Sequence, residues 1–227
     1  MTPSEIKSYF RDLVDEPDET FLSDAQVQRY LNVGYAQFRR EISSIDPLVF
    51  AKKVEFSVTS SRSVDLTSIT DTSGASASVF GNSVTAGNRL MQLISLEAVN
   101  TDGEVVYEYQ PVSNMSARNY MRFSYSLQGE EIKFGAQVTE TIRMTYLPEA
   151  SVTWTEATNQ LDNMTMFHDV VALFAYSQYA MRDGAESQPV LRQLNQRVGE
   201  LREFVYSRHL EGSSYVARVG WDDFGWL

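Results

Sequence analysis

The sequence predicts an α+β protein: a helical bundle built from N- and C-terminal helix pairs, with a central, mainly antiparallel β insertion and an extended C-terminal tail. Capping signals open two helices near the N-terminus, strict alternation of apolar residues begins after Pro47, and helical spacing returns near the C-terminus. The predicted segments are 1–50 for the first helix pair, 51–148 for the β insertion, 149–210 for the second helix pair and 211–227 for the tail.

Two capping boxes define the first helix pair. Thr2 provides the hydroxyl of the first, Pro3 occupies the first helical position and Glu5 the third. Ser23 and Gln26 form the second box, and the longer helix ends before Pro47. Apolar residues at helical spacing form the predicted buried stripes: Ile6, Tyr9, Phe10 and Leu13 in the first helix, then Val27, Tyr30, Leu31, Gly34, Tyr35, Phe38 and Ile42 in the second.

The middle of the chain alternates as half-buried strands do. Residues 53–59 form one predicted strand, and Val64 and Leu66 continue in a short second one. Hairpins are predicted around 101–103 and around Gly129, followed by a separate strand over 139–147. The Ser-, Thr- and Gly-rich stretch 68–88 predicts a long loop far from the bundle, which is either mobile or held by a downstream protein.

The second helix pair is predicted from Asp162 to Met181 and from about 186 to Leu210, with Gly212 as the stop signal. The apolar residues of its last helix step by three and four, as in a helix–helix seam: Leu191, Leu194, Val198, Leu201 and Val205. The next fifteen residues show no such period and contain several aromatic side chains. This segment is therefore predicted to be extended.

Composition excludes several kinds of chemistry. The 227 residues include no cysteine, which removes disulfides, thiolate nucleophiles and cysteine-ligated zinc. The net charge of −11 argues against tight DNA binding by the whole surface, because phosphate binding needs clustered Lys and Arg. No apolar run approaches the ~20 residues of a membrane-spanning helix, and no signal-peptide layout begins the chain. We expect a soluble protein with no membrane partner.

The sequence offers no catalytic or metal-binding pattern. His168 and His209 are the only histidines, and neither has a second ligand at a suitable spacing. His168 is interpreted as a surface or capping residue, and His209 as a cation in the last turn of a helix. Nucleophile-elbow, phosphate-loop and dinucleotide patterns are absent, and the acidic run 12–24 lacks the ligand order of a calcium loop. We expect no enzyme activity, cofactor or metal.

One local resemblance points to a function. Leu13-Val14-Asp15-Glu16-Pro17, Phe21-Leu22-Ser23-Asp24-Ala25 and Tyr30-Leu31-Asn32 resemble the start of tailed-phage (podophage-type) head-to-tail adaptors, also called head–tail connectors. The resemblance implies a structural virion protein in the neck between capsid and tail, assembled in the host cytoplasm. Twelve copies would form a ring under the portal protein ring, extend the DNA channel and carry the tail or nozzle protein.

Candidate contact residues follow from this resemblance and from charge. The aromatic tail is predicted to dock into the portal through Tyr215, Arg218, Trp221, Phe224, Trp226 and Leu227. Acidic residues of one copy are predicted to pair with arginines of the next copy: Asp15, Glu16, Asp18 and Glu19 with Arg192, Arg197 and Arg202. The loop residues Val79, Phe80 and Asn82 are predicted to meet the downstream tail protein. The alternatives are a tail folded back on its own helices and arginines on a solvated helix face.

A second function remains open at this stage: a standalone binding module whose β region recognises a glycan or a host surface. Aromatic residues in that region could stack on sugars, namely Tyr107, Tyr109, Tyr120, Phe123 and Tyr125. Their alternation is equally typical of core packing. In the adaptor interpretation, duplex DNA passes through an acidic channel without tight binding.

Overall fold

The computed structural model describes the chain except for residues 17–20, 82–83, 85, 114–121, 184–186 and 220–227; the side chains of 86, 183 and 210–219 are also not described. The chain divides into two compact units. Met1–Val49 and Ala150–Leu227 form the first, which we call the helical unit. Phe50–Glu149 form the second, which we call the sheet unit.

Both predicted capping boxes are confirmed. Helix α1 (Pro3–Val14) begins after Thr2, whose hydroxyl accepts the Glu5 N–H while the Glu5 carboxylate accepts the Thr2 N–H. Helix α2 (Asp24–Ser43) begins after Ser23, which exchanges the same two hydrogen bonds with Gln26. A short 3-10 turn, Pro47–Phe50, follows α2. Local side-chain chemistry therefore sets both helix starts.

The two C-terminal helices differ from their predicted bounds. A 3-10 turn (Thr165–Phe167) precedes α3 (Asp169–Asp183), so the predicted start at Asp162 is wrong. Helix α4 runs over 32 residues, Gln188–Val219. The predicted stop at Gly212 and the extended conformation predicted from 211 onward are therefore wrong as far as Val219. A single glycine is tolerated inside a helix at a cost of about 1 kcal/mol, and no proline follows to end this one.

The predicted bundle of two helix pairs is also wrong. Helix α3 is central: α1, α2 and α4 all pack against it. The helix is buried on nearly every side. Its buried residues are Val170, Val171, Ala172, Leu173, Ala175, Tyr176, Ser177 and Ala180. A bundle helix would bury a single stripe, and Met181, the last residue of the predicted helix, is 67% exposed. The helical unit is thus three helices arranged around a buried fourth.

Close backbone packing joins α2 to α3. At Gly34, a Cβ atom would lie 2.5 Å from the Val171 carbonyl oxygen and 2.8 Å from the Ala175 nitrogen. Both atoms belong to the backbone and cannot turn aside as a side chain can. Glycine at this position lets the two helices approach closely, and the contact sets their relative position.

The described residues of the sheet unit form six strands. They are β1 (Lys52–Asp65), β2 (Leu90–Val99), β3 (Val105–Glu108), β4 (Gln110–Pro111), β5 (Ser124–Gln128) and β6 (Glu131–Pro148). Strand β6 lies in the middle: β1 pairs along one edge, while β5 and then β2 pair along the other. Because β4 runs parallel to β5, the sheet is mixed.

Some strand predictions are confirmed and others are wrong. The hairpins at 101–103 and at Gly129 are confirmed, with Gly103 and Gly129 at φ 79° and 60°. The two strands predicted over 53–66 form a single strand, β1, and those predicted over 131–147 form a single strand, β6. Ser60, at φ 51°, lies beside register shifts in the β1–β6 pairing. The irregularity bends the pair without ending it.

The predicted free loop 68–88 folds onto the sheet. Val79 is 1% exposed inside the core of the sheet unit, and Phe80 packs against that core. The Val79 N–H donates to the Leu66 carbonyl (3.0 Å), and the Val79 carbonyl accepts the Leu90 N–H (2.9 Å). The prediction that Val79 contacts a downstream protein is therefore wrong, because its side chain lies inside its own core. Phe80 is half-buried, and its contact with a downstream protein stays a prediction. Asn82 lies outside the described residues.

Candidate functional site

Helix α4 provides the largest exposed helical surface of the described chain. Its 32 residues extend about 48 Å, whereas the 15 residues of its partner α3 extend about 22 Å. Between Gln188 and His209 only Leu194, Leu201 and Val205 are buried. The predicted seam residues Leu191 and Val198 are half-buried. Most of the α4 surface therefore has no covering element among the described residues.

Arg197 points inward, against the prediction that it contacts a neighbouring copy. Its guanidinium binds the Asp169 carboxylate through two nitrogens at 2.7 and 2.8 Å and the Glu200 carboxylate at 2.6 Å. It also donates to the Met166 carbonyl at 2.7 Å and lies 5.1 Å from the centre of the Phe167 ring. The hydrogen bonds to Asp169 and Glu200 raise the pKa of Arg197 above its usual range. Arg197 thus fixes α4 to the start of α3.

The other two predicted arginines remain on the surface. Arg202 is 58% exposed and pairs with Glu41 of α2 at 2.7 Å. Arg192 is exposed one turn and a half before Arg197 on the same helix. Since exposed pairs contribute about 0–1 kcal/mol, the Arg202–Glu41 pair does not remove Arg202 from a second partner.

The acidic α1–α2 connection is anchored by an arginine that the sequence interpretation missed. Arg11, 7% exposed, donates to the Glu16 carbonyl (3.1 Å), the Leu22 carbonyl (3.2 Å) and the Asp24 carboxylate (2.6 Å). Hydrogen bonds from Lys7 and Arg11 hold the pKa of Asp24 below its usual range. In the sequence, the one signal for this anchor is that Lys7 and Arg11 lie among the apolar residues of the first helix.

The predicted acidic contact residues divide in position. Asp15 caps the C-terminus of α1 at φ 57° and is exposed. Glu16 is half-buried, while Asp18 and Glu19 lie outside the described residues. The structure therefore places only Asp15 and Glu16, and it brings neither to the arginines of α4 within the described chain.

An exposed aromatic residue adjoins this connection. Phe21 is 80% exposed, at the edge of a groove of about 290 Å³. Tyr30 and Tyr179 line the groove, their ring centres 5.9 Å apart, and Arg182 donates to the Tyr30 hydroxyl at 3.0 Å. The remaining lining residues are Glu16, Leu22 and Gln26. An exposed aromatic side chain beside a groove with a polar rim is typical of protein–protein contact sites.

The predicted docking tail is described only in part. Tyr215 and Arg218 belong to the helical backbone of α4, and their side chains are not described. The other four tail residues lie outside the described residues: Trp221, Phe224, Trp226 and Leu227. Their predicted contact with a portal stays a prediction.

His168 is buried, which corrects its interpretation as a surface or capping residue. The ring is fully buried, and its Nε2 donates to Asp162 Oδ1 at 2.9 Å. Its Nδ1 lies 2.9 Å from the Met1 carbonyl oxygen. Asp162 Oδ2 accepts the Tyr35 hydroxyl at 3.3 Å, and burial raises the pKa of Tyr35 above its usual range. This network ties the segment before α3 to α2 and to the chain start, which is a structural role.

Replacing His168 with leucine is expected to lower the free energy of unfolding of the helical unit by about 2–3 kcal/mol, because the Asp162 carboxylate, only 11% exposed, loses its imidazole donor. Urea titration followed by circular dichroism measures the change. His209→Leu is the matched control, because His209 is largely exposed and 3.9 Å from Asp46. We expect the control to change stability by less than about 0.5 kcal/mol. Equal effects of the two substitutions would contradict the anchoring role.

The sheet unit contains an aromatic cluster around Glu140. The hydroxyls of Tyr107 and Tyr109 both donate to Glu140 Oε2, the second at 3.2 Å. Burial raises the pKa of Tyr109 above its usual range, followed by the hydrogen bond and charge of Tyr107 and then those of Glu140. Tyr109 and Tyr125 are 2% and 5% exposed.

The described aromatic residues among those proposed for sugar stacking differ in exposure. Tyr107 is half-buried, Phe123 is partly exposed, and Tyr120 lies outside the described residues. Most of the aromatic side chains proposed for sugar stacking thus pack within the sheet unit.

Three further observations complete the description. Within the described ranges, no group of three or more His, Cys, Asp or Glu side chains is arranged to hold a metal ion. Over the same ranges, none of the helices combines the length and the apolar composition needed to cross a bilayer. No protein-family model matches the sequence, and no curated protein sequence matches it.

Proposed function

We propose that the chain is a structural virion protein: a head-to-tail adaptor that joins the portal ring to the tail and extends the DNA channel. The resemblance of residues 13–32 to the start of such adaptors supports this function. The structural observation that carries the proposal is α4, a 32-residue helix whose described side chains are mostly exposed. A subunit whose role is assembly needs such a surface.

The argument from α4 is energetic. Helices in proteins gain most of their stability from packing an apolar face, and α4 buries only Leu194, Leu201 and Val205 between 188 and 209. Phe204 and Tyr206 are 37% and 57% exposed on the same helix. Tyrosine and arginine are enriched at the centres of protein interfaces, and α4 exposes both. The proposal assigns this surface to neighbouring proteins in the neck.

The proposed mechanism is assembly without a chemical step. About twelve copies form a ring, the segment 213–227 at the end of α4 contacts the portal, and the sheet unit meets the tail or nozzle protein. In the sheet unit, edge strand β3 exposes Val105 and Val106 at 50% and 62%, where a partner could cover them. No cofactor or metal takes part in the proposal.

Co-sedimentation with the portal ring encoded by the same genome tests the function. Full-length chain and purified portal rings are mixed at a molar excess of chain and separated on a glycerol gradient. The proposal predicts that the chain moves with the ring in a saturable amount, and that bovine serum albumin in the same mixture does not. A chain that stays at the top of the gradient at every ratio would contradict the proposed function.

The purified chain is expected to bind duplex DNA no more tightly than about 100 μM at physiological salt. The net charge of −11 is multiplied in a ring, and a uniformly acidic path gives DNA no position at which it is held. Basic clusters are limited, since Arg197 and Arg202 are paired with Asp169, Glu200 and Glu41. An electrophoretic shift assay measures the affinity. Micromolar or tighter binding at that salt would contradict the channel interpretation.

A further inference from the structure

One exposed row of α4 has the composition of a helix-packing surface. Its members are three or four residues apart and all exposed: Arg192, Asn195, Gly199, Arg202 and Tyr206. This spacing places them on one face of the helix, beside the buried row that contains Leu194, Leu201 and Val205. We call this row the Gly199 stripe.

No contact among the described residues explains a glycine at position 199. A Cβ atom added there would meet no described atom within 4 Å. Gly34, by contrast, is required because a Cβ would collide with the α3 backbone at Val171 and Ala175. Glycine in a helix interior is less favourable than alanine, so a glycine without an internal contact costs stability for no internal gain. A helix approaching from outside would use the missing Cβ in the way that α3 uses Gly34.

Helix α1 carries a matching row of opposite charge. Its exposed face consists of Glu5, Ser8 and Asp12, and the exposed Asp15 follows at the C-cap. The spacing of these four residues equals that of Arg192, Asn195, Gly199 and Arg202. Ser8, the small residue of the row, turns its hydroxyl back to the Ser4 carbonyl at 3.1 Å. The face of α1 is therefore acidic at both ends and narrow near the middle.

We propose that α1 of one copy packs antiparallel across the Gly199 stripe of a second copy. In this alignment Ser8 lies opposite Gly199, Asp15 lies beside Arg192, and Glu5 lies beside Arg202. The small pair lets the helix axes approach to the short end of the usual 8–10 Å, and the charges are complementary at both ends. No other alignment of the four-residue rows places two small residues opposite each other with both arginines beside carboxylates.

The partner that packs on the Gly199 stripe is a second copy of the chain, because the matching row on α1 belongs to the same chain. The two rows lie on different helices and match in spacing and charge. A contact between different surfaces is heterologous, so it continues from copy to copy and closes into a ring or forms a filament. The ring form rests on the proposed function; the pairwise contact does not depend on the portal. Tyr206, 57% exposed one turn beyond Arg202, would extend the contact past the start of α1.

Cross-linking tests the contact directly, because the natural chain contains no cysteine. The proposed alignment also places Asp12 opposite Asn195, both exposed. In the Asp12→Cys, Asn195→Cys double variant, which leaves Gly199 unchanged, the antiparallel contact brings the two Cα atoms of neighbouring copies within the ~7 Å that a disulfide allows. Mild oxidation is expected to give a ladder of dimers, trimers and larger species on a denaturing gel without reductant. The control pairs Asp12→Cys with Gln193→Cys, since Gln193 is exposed about 160° around α4 from Asn195.

Each outcome of the cross-linking decides the proposal. A ladder from the first pair and not from the control supports the heterologous contact. Monomer only, or equal ladders from both pairs, overturns it. Dimer only would mean that the contact does not propagate from copy to copy, which also overturns the proposal. The experiment is run with the full chain alone at about 100 μM, because the proposed contact does not depend on the portal.

Charge variants separate this proposal from the proposed function. Arg192→Glu, which faces Asp15 of the neighbour, is expected to weaken self-association at least about tenfold, and adding Asp15→Asn is expected to restore part of it. Arg29→Glu is the matched control on the exposed side of α2. If the variants assemble on portal rings as the natural chain does, the contact is wrong and the adaptor function stands. If self-association responds as expected but no chain binds portal rings, the contact stands and the adaptor function is wrong.

Discussion

Removing residues 213–227 is expected to abolish binding to the portal ring, by a factor above about 100, and to leave both units folded. The proposed portal contact lies in this segment, where three large aromatic residues fall within the last seven positions: Trp221, Phe224 and Trp226. Aromatic anchors of this kind carry most of the affinity of protein interfaces. The fold should survive because Val205 is the last buried residue among the described side chains of α4, eight residues before the cut.

Gradient co-sedimentation with portal rings measures the binding, and thermal unfolding of the truncated chain checks the fold. A full-length variant with Trp221, Phe224 and Trp226 changed to serine separates loss of the aromatic side chains from loss of chain length. Both variants should remain at the top of the gradient, with melting temperatures close to that of the natural chain. Normal co-sedimentation of the truncated chain would show that the portal contact lies elsewhere.

Gly34→Ala is expected to destabilise the helical unit by about 3 kcal/mol, although alanine is the better helix former. The new methyl group would lie 2.5 Å from the Val171 carbonyl oxygen and 2.8 Å from the Ala175 nitrogen. Because both atoms are backbone, α2 and α3 must separate, and the well-packed side chains beside them lose contact. For a protein that is stable by only about 5–15 kcal/mol, this is a large fraction.

Gly199→Ala is the matched control for this prediction. It makes the same chemical change inside a helix, but its methyl group meets no described atom within 4 Å. We expect it to raise the free energy of unfolding by about 0.5–1 kcal/mol, measured at a concentration low enough to keep the chain monomeric. Urea titration of both variants gives the comparison. A stabilising Gly34→Ala would contradict the close packing of α2 on α3.

The features that the sequence predicted are those determined by neighbouring residues. The boxes at Thr2 and Ser23 close within three residues of the chain, and the hairpin turns at Gly103 and Gly129 need only a left-handed glycine. Alternation over 53–59 likewise reports which side of one strand is buried. These signals are local, so they do not depend on the rest of the fold.

The features that the sequence did not predict depend on distant partners. A glycine pattern cannot tell whether Gly212 ends a helix or lies within one. Three other helices bury α3 on nearly all sides. The spacing of apolar residues within α3 alone predicts only one buried side. The sequence predicted two segments for each of strands β1 and β6, because the continuity of each strand depends on its pairing with the other across an irregular register.

The candidate site was predictable to a similar degree. Charge and the resemblance indicated Asp15, Arg192 and Arg202, which lie on the surface. Arg197 and Val79 were misassigned because the residues that bury or bind them, Asp169 and the sheet core, are distant or unmarked in sequence. The buried network of His168 with Asp162 likewise had no signal beyond the scarcity of histidine. Partners that are distant in sequence decide whether a polar residue stabilises the fold or remains available to contact another protein.

The number of copies bound to one portal ring tests the adaptor function most directly. Native mass spectrometry of the saturated complex, after gradient purification, gives this number from the mass added to the ring, at 25.7 kDa for each chain. The proposed function predicts a single dominant species with twelve added chains on a twelve-fold portal. A portal ring whose mass does not change in the presence of excess chain, or one that carries a broad, unsaturated distribution of one to a few chains, would contradict it.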